Sequence, residues 1–262
     1  MAEDRIVLCM KWGQRYPSAY VNILFRAVQD NLSGAFRFIC LTDDPTGLAP
    51  GIEAMDLPRG GIPESYWKDR GIWGKLALFQ EDLHGLSGRA LFLDLDMLIV
   101  GPLDRFFDFD PDKPFVSAGG GKGWRRGSSN PNPTLTTTVF AFDIGSQPQI
   151  LQAFLKDPET AKHQYVLEQA FVEATVTSWA AFPDPWVVSF KRHLRQPVGL
   201  DLFLQPNAPG PEAICVSFHG NPDPSQLVSN ASGYWGEFPH YGRGPVPWVR
   251  DNWLKYGYVD PA

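Results

Sequence analysis

Few cysteines, no long apolar run and no familiar phosphate-binding glycine motif set the first limits on this 262-residue chain. The three cysteines, Cys9, Cys40 and Cys215, lie inside apolar runs typical of strands and show no metal-ligand spacing. We expect them to be reduced core thiols, as in cytosolic proteins. No apolar run approaches the roughly 18 residues of a membrane span, and the N-terminus does not resemble a signal peptide. These absences predict a cytoplasmic protein.

Two classes of nucleotide-binding enzyme are disfavoured by motifs that the chain lacks. No Gly-x-Gly-x-x-Gly follows the first predicted strand, which argues against a Rossmann dehydrogenase. No Gly-Lys-Ser/Thr occurs, which argues against a P-loop enzyme. The net charge of −6 and the pI near 5.4 argue against general nucleic-acid binding. We therefore expect no nucleic-acid partner.

Strand-like and helix-like segments alternate along the chain. Short apolar runs predict strands, and apolar residues at helical spacing predict helices. The predicted strands cover residues 6–10, 36–41, 54–57, 90–93, 115–118, 135–143, 187–190 and 214–218. The last two of these are predicted to be the final strands of the chain. The predicted helices cover residues 19–29, 73–83, 149–156 and 163–175. This order predicts an α/β fold with a mostly parallel central sheet flanked by helices. Ligands bind such sheets at the carboxyl ends of strands, which draws attention to Lys11, Trp12 and Asp43.

The buried strand 90–93 ends in two carboxylates, Asp94 and Asp96. Residues two apart in an extended segment point to the same side, so both carboxylates can face one small volume while Leu95 turns into the core. A divalent cation fits that volume. His219 follows the last predicted strand, and imidazole with carboxylate suits an ion such as Mn²⁺. His219 is therefore a candidate third ligand.

Two segments are open to more than one interpretation. Residues 119–133 are rich in glycine and serine, and they are either a mobile surface loop or a lid whose Lys122, Arg125 and Arg126 approach phosphates. Residues 233–262 are dense in aromatic side chains. We interpret them as an extension packed on a domain of residues 1–232, and the alternative is contact with an acceptor glycan or a membrane surface.

The run Ala-Leu-Phe-Leu-Asp-Leu-Asp-Met-Leu-Ile-Val-Gly-Pro-Leu resembles the Asp-x-Asp segment of nucleotide-sugar glycosyltransferases of the GT-A fold. The closest resemblance is to the glycogenin-like and bacterial lipopolysaccharide galactosyl- and glucosyltransferases. Lys75 resembles the basic residue that reaches the donor in that family, Glu168-Gln169 its Asp-Gln pair, and His219-Gly220 its metal-binding His-Gly. The resemblance covers most of the chain, residues 5–225.

The resemblance implies a Rossmann-like GT-A fold and metal-dependent transfer of a sugar with retention. The donor is a nucleotide-diphosphate sugar, expected to be UDP-linked, and the acceptor is a glycan, lipid or protein. The expected roles are metal binding (Mn²⁺ or Mg²⁺) by Asp94, Asp96 and His219, donor binding by Lys11, Trp12, Lys75, Asp94 and Thr137, and catalysis by Gln169, Glu168 and Lys75.

Three departures from the family pattern limit what carries over. Thr136-Thr137-Thr138 stands where the family has Asn-Ser-Gly, so the sugar is left open. Glu168 replaces the usual Asp and adds one methylene. Asp223 stands where the family has a lysine that helps to neutralise the diphosphate.

Two other functions start from the same residues. In a haloacid-dehalogenase-type phosphatase Asp94 would be the phosphorylated nucleophile. That motif normally lies on an early strand with Thr or Val after it, whereas here it follows the fourth predicted strand and precedes Met97-Leu98. A catalytically silent sugar-binding protein is the second alternative.

Overall fold

A seven-stranded sheet forms the centre of the computed structural model, which describes residues 5–68, 72–120, 134–228 and 233–259. The strands are β1 (Arg5–Lys11), β2 (Phe36–Thr42), β3 (Glu53–Asp56), β4 (Arg89–Leu93), β5 (Met97–Ile99), β6 (Phe115–Gly120), β7 (Thr134–Asp143), β8 (Trp179–Phe182), β9 (Val187–Ser189), β10 (Cys215–Ser217), β11 (Tyr234–Glu237) and β12 (His240–Arg243). In the central sheet the order is β3-β2-β1-β4-β7-β6-β8. β7 alone runs antiparallel to its neighbours, which confirms the mostly parallel α/β sheet.

Helices cover both faces of this sheet. The α-helices are α1 (Ser18–Asn31), α2 (Ser65–Lys68), α3 (Asp104–Asp108), α4 (Pro148–Lys156), α5 (Pro158–Gln164), α6 (Glu168–Thr175), α7 (Pro224–Val228) and α8 (Pro247–Lys255). The described residues also form 3₁₀ helices at Ile72–Phe79, Asp184–Trp186 and Leu200–Leu202 and a π-helix at Phe190–Leu194. No helix in the described ranges is long and apolar enough to cross a membrane.

Alternate residues of β1 face opposite hydrophobic cores. Val7 and Cys9 pack into the core that contains α1, whereas Ile6, Leu8 and Met10 pack into the core on the other face. A strand covered on both faces is expected to be apolar throughout, as residues 6–10 are. The three cysteines are free and buried, as predicted.

The helix predicted over residues 73–83 is shorter than expected. It is the 3₁₀ helix Ile72–Phe79, and its residues from Trp73 onward are all buried. A Cβ on Gly74 would lie 2.7 Å from the Trp67 ring, so glycine is needed for this close approach. The helix ends early because Asp82 Oδ1 accepts a hydrogen bond from Gly85 N and starts a turn.

The helix predicted over residues 163–175 is wrong as a single element. The chain forms α5 and α6, with Tyr165 and Leu167 extended between them. Tyr165 packs edge-on against Phe171, 5.4 Å away, while Val166 is 87% exposed. This aromatic contact and the β-branched Val166 favour extended backbone at the break. Glu168 therefore begins α6 instead of lying in the middle of a helix.

The end of the chain contains strands that the sequence pattern did not predict. β9 and β10 match the predicted runs, and they form a separate sheet in the order β5-β10-β9. They are not the last strands, because the β11–β12 hairpin follows. Its strands are rich in glycine and exposed tyrosine, so they carry no apolar run. β8, a four-residue strand at the edge of the central sheet, was not predicted either.

The C-terminal helix α8 shares the core that contains α1. Trp253 is 1% exposed, and its ring meets Tyr20 edge-on at 4.9 Å. Asn252 Nδ2 donates to Ile99 O at 2.9 Å. These contacts join α8 to α1 and β5, while the division of the chain at residue 232 stays a prediction.

We predict that Trp253→Ala lowers the free energy of unfolding by about 3–5 kcal/mol. The loss comes from packing, because Trp253 Nε1 has no hydrogen-bond partner among the described residues. Phe238→Ala, at a residue 83% exposed in the same segment, is the control and is expected to change stability by less than about 0.5 kcal/mol. Urea unfolding measures both. Equal effects of the two substitutions would contradict the packing of α8.

Candidate active site

A cavity of about 520 Å³ opens at the carboxyl ends of β1 and β4. Most of the residues singled out from the sequence contribute to its wall. These are Trp12, Lys75, Asp94, Asp96, Thr137, Glu168, Gln169 and His219. They come from widely separated parts of the chain, and the sheet topology brings them together. Parallel sheets commonly bind ligands at this edge.

Asp94 and Asp96 are held at the cavity by backbone hydrogen bonds to two different strands. Asp94 N donates to Thr138 O at 3.0 Å, which continues the pairing of β4 with β7. Phe218 N donates to Asp96 O at 3.1 Å, next to the end of β10. Leu95 between them is 4% exposed and belongs to the core. The two carboxylates therefore line one volume while the intervening side chain is buried.

Lys75 is the centre of a buried polar network. Its Nζ donates to Asp94 Oδ1 at 2.7 Å and to Thr137 O at 3.0 Å. Glu168 Oε1 lies 3.9 Å from the same nitrogen and accepts a hydrogen bond of 2.6 Å from Thr137 Oγ1. Burial alone would lower the pKa of Lys75, but the charges of Asp94 and Glu168 raise it. The ammonium group therefore stays protonated in the site.

The Asp-x-Asp carboxylates hold their protons more tightly than usual. Burial raises the pKa of Asp94 to about 7, with Lys75 opposing the shift and the Asp96 charge adding to it. Burial also raises the pKa of Asp96, although its hydrogen bond from Tyr16 opposes this. That bond runs from Tyr16 Oη to Asp96 Oδ2 and is 2.8 Å long. The site thus crowds buried acidic groups that ionise less readily than usual, and a cation that enters favours their ionised form.

His219 is neutral in its surroundings. Burial, together with the charges of Arg192 and Lys191 on the nearby π-helix, lowers its pKa to about 4. The ring nitrogen Nε2 lies 3.4 Å from Ser217 Oγ. A neutral imidazole keeps a lone pair available for a metal ion at pH 7.

The side chains of Asp94, Asp96 and His219 are chemically suited to a divalent ion, but their positions in the structure do not form a complete set of metal ligands. Two carboxylates and a neutral imidazole suit Mn²⁺. Across the described ranges, however, no three His, Cys, Asp or Glu side chains form a group that could hold a metal ion. Asp94 faces Lys75 and Asp96 faces Tyr16. These contacts use Asp94 Oδ1 and Asp96 Oδ2, so a metal ion that bound the other oxygen of each carboxylate would leave both contacts in place.

Two residues proposed from strand ends do not line the cavity. Lys11 is 5% exposed, and its Nζ donates to Asp44 O at 3.2 Å. Asp43 Oδ2 accepts a hydrogen bond from Gly13 N at 3.1 Å. Both contacts shape the loops after β1 and β2. The proposed lid cations Lys122, Arg125 and Arg126 lie outside the described residues.

Among the other residues that line the cavity, Arg15, Tyr16 and Trp67 were not proposed as site residues from the sequence. Trp12 Nε1 donates to Trp67 O at 3.2 Å, and the two rings meet edge-on at 5.8 Å. Tyr16 was detectable in principle, because it follows β1 at the sheet edge where ligands bind. Trp67 lies in a polar connection and carried no such signal.

Solved glycosyltransferase structures share the architecture of this chain. No protein-family model and no curated protein matches the sequence. The galactosyltransferase LgtC in complex with donor and acceptor sugar analogs aligns with a TM-score of 0.60 at 14% identity, over 97% of each chain. GlyE of Streptococcus pneumoniae TIGR4 aligns with 0.59 at 12% identity, over 98% of this chain and 62% of GlyE.

A bifunctional glycosyltransferase extends the comparison. WbbM aligns with a TM-score of 0.57 at 8% identity, over 98% of this chain and 50% of WbbM. The chain has a GT-A glycosyltransferase fold. This GT-A fold is the one that the Asp-x-Asp segment and its partner residues implied, so the expectation is confirmed. Because identities of 8–14% establish the fold alone, the activity must be argued from the side chains of the site.

We predict that Lys75→Met lowers the free energy of unfolding by about 3 kcal/mol at pH 8, because Asp94 and Glu168 are then buried without a cation. The loss should be smaller at pH 5.5. The pKa of Asp94 is raised to about 7 in the fold, so its contribution to stability is present below pH 4 and is lost as the pH rises through 7. Without Lys75 the free energy of unfolding falls further as the pH rises.

Urea unfolding at the two pH values measures this difference. Lys156→Met, on the exposed surface of α4, is the matched control and is expected to change stability by less than about 0.5 kcal/mol. A Lys75→Met effect that is the same at both pH values would show that the carboxylates do not depend on Lys75.

Proposed function

We propose that this chain is a glycosyltransferase that moves a hexose from a nucleotide-diphosphate sugar, with UDP as the nucleotide, to an acceptor. One observation carries the proposal: Lys75, Asp94, Thr137 and Glu168 form one buried network in the wall of a cavity at the sheet edge. Asp96, Gln169 and His219 line the same cavity. The fold is one that sugar-transferring enzymes use, and LgtC carries donor and acceptor analogs on it.

The donor is proposed to lie along this wall. Trp12 offers an aromatic face next to Trp67, which suits a base or a ribose. Lys75 and Thr137 line the same cavity, where the hydroxyl groups of the sugar find a cation and a hydroxyl group. Lys11 was expected to bind the donor, and we now assign it to the loop after β2 because its ammonium group contacts Asp44 O.

The leaving group explains the cluster of acidic residues. We propose that Asp94, Asp96 and His219 hold Mn²⁺ or Mg²⁺, which when bound stabilises negative charge on the departing diphosphate. Lys75 opposes the rise in the pKa of Asp94, and Tyr16 orients Asp96 through its hydroxyl group. The low pKa of His219 keeps its imidazole neutral and able to bind.

The reacting sugar is proposed to meet Glu168 and Gln169. The transition state of such transfers has oxocarbenium character, so a fixed carboxylate nearby stabilises the developing positive charge. Glu168 is 7% exposed and is fixed by Thr137 and Lys75. Gln169 follows it at the start of α6 and offers an amide group to the sugar or the acceptor. We expect retention of configuration, as the resemblance implies.

The acceptor is proposed to be a glycan, lipid or protein that meets the enzyme in the cytoplasm, where nucleotides are abundant. We also propose peripheral membrane contact through the C-terminal aromatic region. Tyr234, Phe238 and Tyr241 on the β11–β12 hairpin are 61%, 83% and 43% exposed. Tyrosine, an aromatic side chain with one polar end, suits a membrane interface, and Phe238 adds an exposed apolar ring.

The phosphatase alternative is not favoured. Asp94 is engaged by Lys75, and the fold is shared with glycosyltransferases. A silent sugar-binding protein differs from the proposed enzyme in turnover alone. Incubation with UDP-sugars and Mn²⁺ separates the three functions, because only the transferase releases UDP. Phosphate release from monoesters would favour the phosphatase, and donor binding without turnover would favour the silent protein.

We predict that Asp96→Asn lowers UDP release at least about 100-fold, because a group that stabilises the charged leaving group is lost. Asp112→Asn makes the same change at an exposed site outside the cavity and should leave the rate within about twofold. Steady-state UDP release measures both. Equal rates for wild type and Asp96→Asn would remove Asp96 from the proposed machinery.

We predict that Mn²⁺ binds more tightly as the pH rises from 6 to 8. The pKa of Asp94 is raised to about 7, so below that value a proton must leave before the carboxylate can bind the ion. Affinity should increase by up to about tenfold per pH unit below 7 and then level off. Calorimetric titration at three pH values measures the change. An affinity that falls with rising pH would contradict Asp94 as a ligand.

A further inference from the structure

Asp223, where the resemblance expects a lysine, serves the fold instead of the substrate. Its Oδ1 accepts hydrogen bonds from Tyr20 Oη at 2.5 Å and from Ser225 N at 3.0 Å. Its own N donates to Gln226 Oε1 at 3.0 Å. These reciprocal bonds have the form of a capping box at the start of α7. Asp223 is thus held at the start of α7, where it is close enough to Asp96 to raise the pKa of that carboxyl group.

The cavity has more acidic than basic side chains. Among its described lining residues, Asp94, Asp96 and Glu168 are acidic, and Arg15 and Lys75 are the permanently cationic ones. Lys75 is already engaged by two of the carboxylates. A diphosphate that entered would therefore need a cation other than Lys75.

Arg15 is placed to meet that need. It lies on the loop after β1, is exposed, and lines the cavity. Its guanidinium carbon lies 5.1 Å from the centre of the Tyr16 ring, and Tyr16 in turn donates to Asp96. No salt bridge within the described ranges engages Arg15. Its charge is therefore available beside the Asp-x-Asp carboxylates.

We propose that Arg15 binds the second phosphate of the nucleotide diphosphate and supplies the positive charge that position 223 lacks. This inference rests on the proposed function. The guanidinium group is planar, always charged and able to donate two parallel hydrogen bonds to one phosphate. Lys191 and Arg192 lie near His219 but do not line the cavity, so they act at longer range.

The test compares binding of UDP and UMP, each with Mn²⁺, to full-length variants by calorimetry. Arg15→Gln should weaken UDP binding about tenfold or more and UMP binding less than about threefold, because only UDP carries the second phosphate. Arg15→Lys should fall between wild type and Arg15→Gln. The control is Arg105→Gln, which removes a cation that also lies over an aromatic ring, 4.4 Å from the centre of Trp186, but outside the cavity.

Each other outcome overturns a defined part of the assignment. UDP binding that is unchanged in Arg15→Gln while wild type binds UDP would overturn the role of Arg15 and leave the proposed function standing. Equal weakening of UDP and UMP would overturn the assignment to the second phosphate. If wild type binds neither UDP nor UDP-sugars, the proposed function and the inference are overturned together. If Arg105→Gln weakens UDP binding as much as Arg15→Gln does, the effect comes from net charge, and the role of Arg15 is overturned.

Discussion

The buried ion cluster around Lys75 is the constraint on which the site depends. An isolated ammonium or carboxylate group inside a protein costs several kcal/mol, so Lys75, Asp94 and Glu168 are tolerable only when they stay together. Lys75 Nζ lies 2.7 Å from Asp94 Oδ1 and 3.9 Å from Glu168 Oε1. Thr137 forms hydrogen bonds with both Lys75 and Glu168, so the three charged groups stay together. The cluster therefore fixes the relative positions of four elements as well as the charges in the cavity.

The same cluster explains why the Asp-x-Asp carboxylates are unusual. A single cation, Lys75, balances Asp94 and Glu168, and the Asp96 carboxylate accepts a hydrogen bond from the Tyr16 hydroxyl group. The pKa values of Asp94 and Asp96 are raised as a result of burial and crowding. Such a site is electrostatically incomplete, which is the condition in which binding of a further cation is most favourable. The proposed metal ion and the proposed role of Arg15 both follow from this shortage of positive charge.

Much of the fold was predictable because strand burial is a local property. The apolar runs at 6–10, 36–41 and 90–93 each became a strand of the central sheet, and Asp94 and Asp96 came out on one side as period-two spacing requires. The boundaries of the helices were harder to predict from the sequence. The break before Glu168 depends on Tyr165 packing against Phe171, and the β11–β12 hairpin has too few apolar residues to form a pattern.

The sequence by itself determined the α/β class, the Asp-x-Asp strand end and the set of candidate residues, since each is encoded in spacing along a short segment. Only the tertiary structure decided which of those residues meet. β7 lies beside β4, and this pairing carries Thr137 to Lys75 and Glu168. The tertiary structure also placed Lys11 outside the cavity lining and made Asp223 the cap of α7. It brought Arg15 and Tyr16 to the cavity. Contacts between residues far apart in the chain depend on sheet order and packing, which no local pattern records.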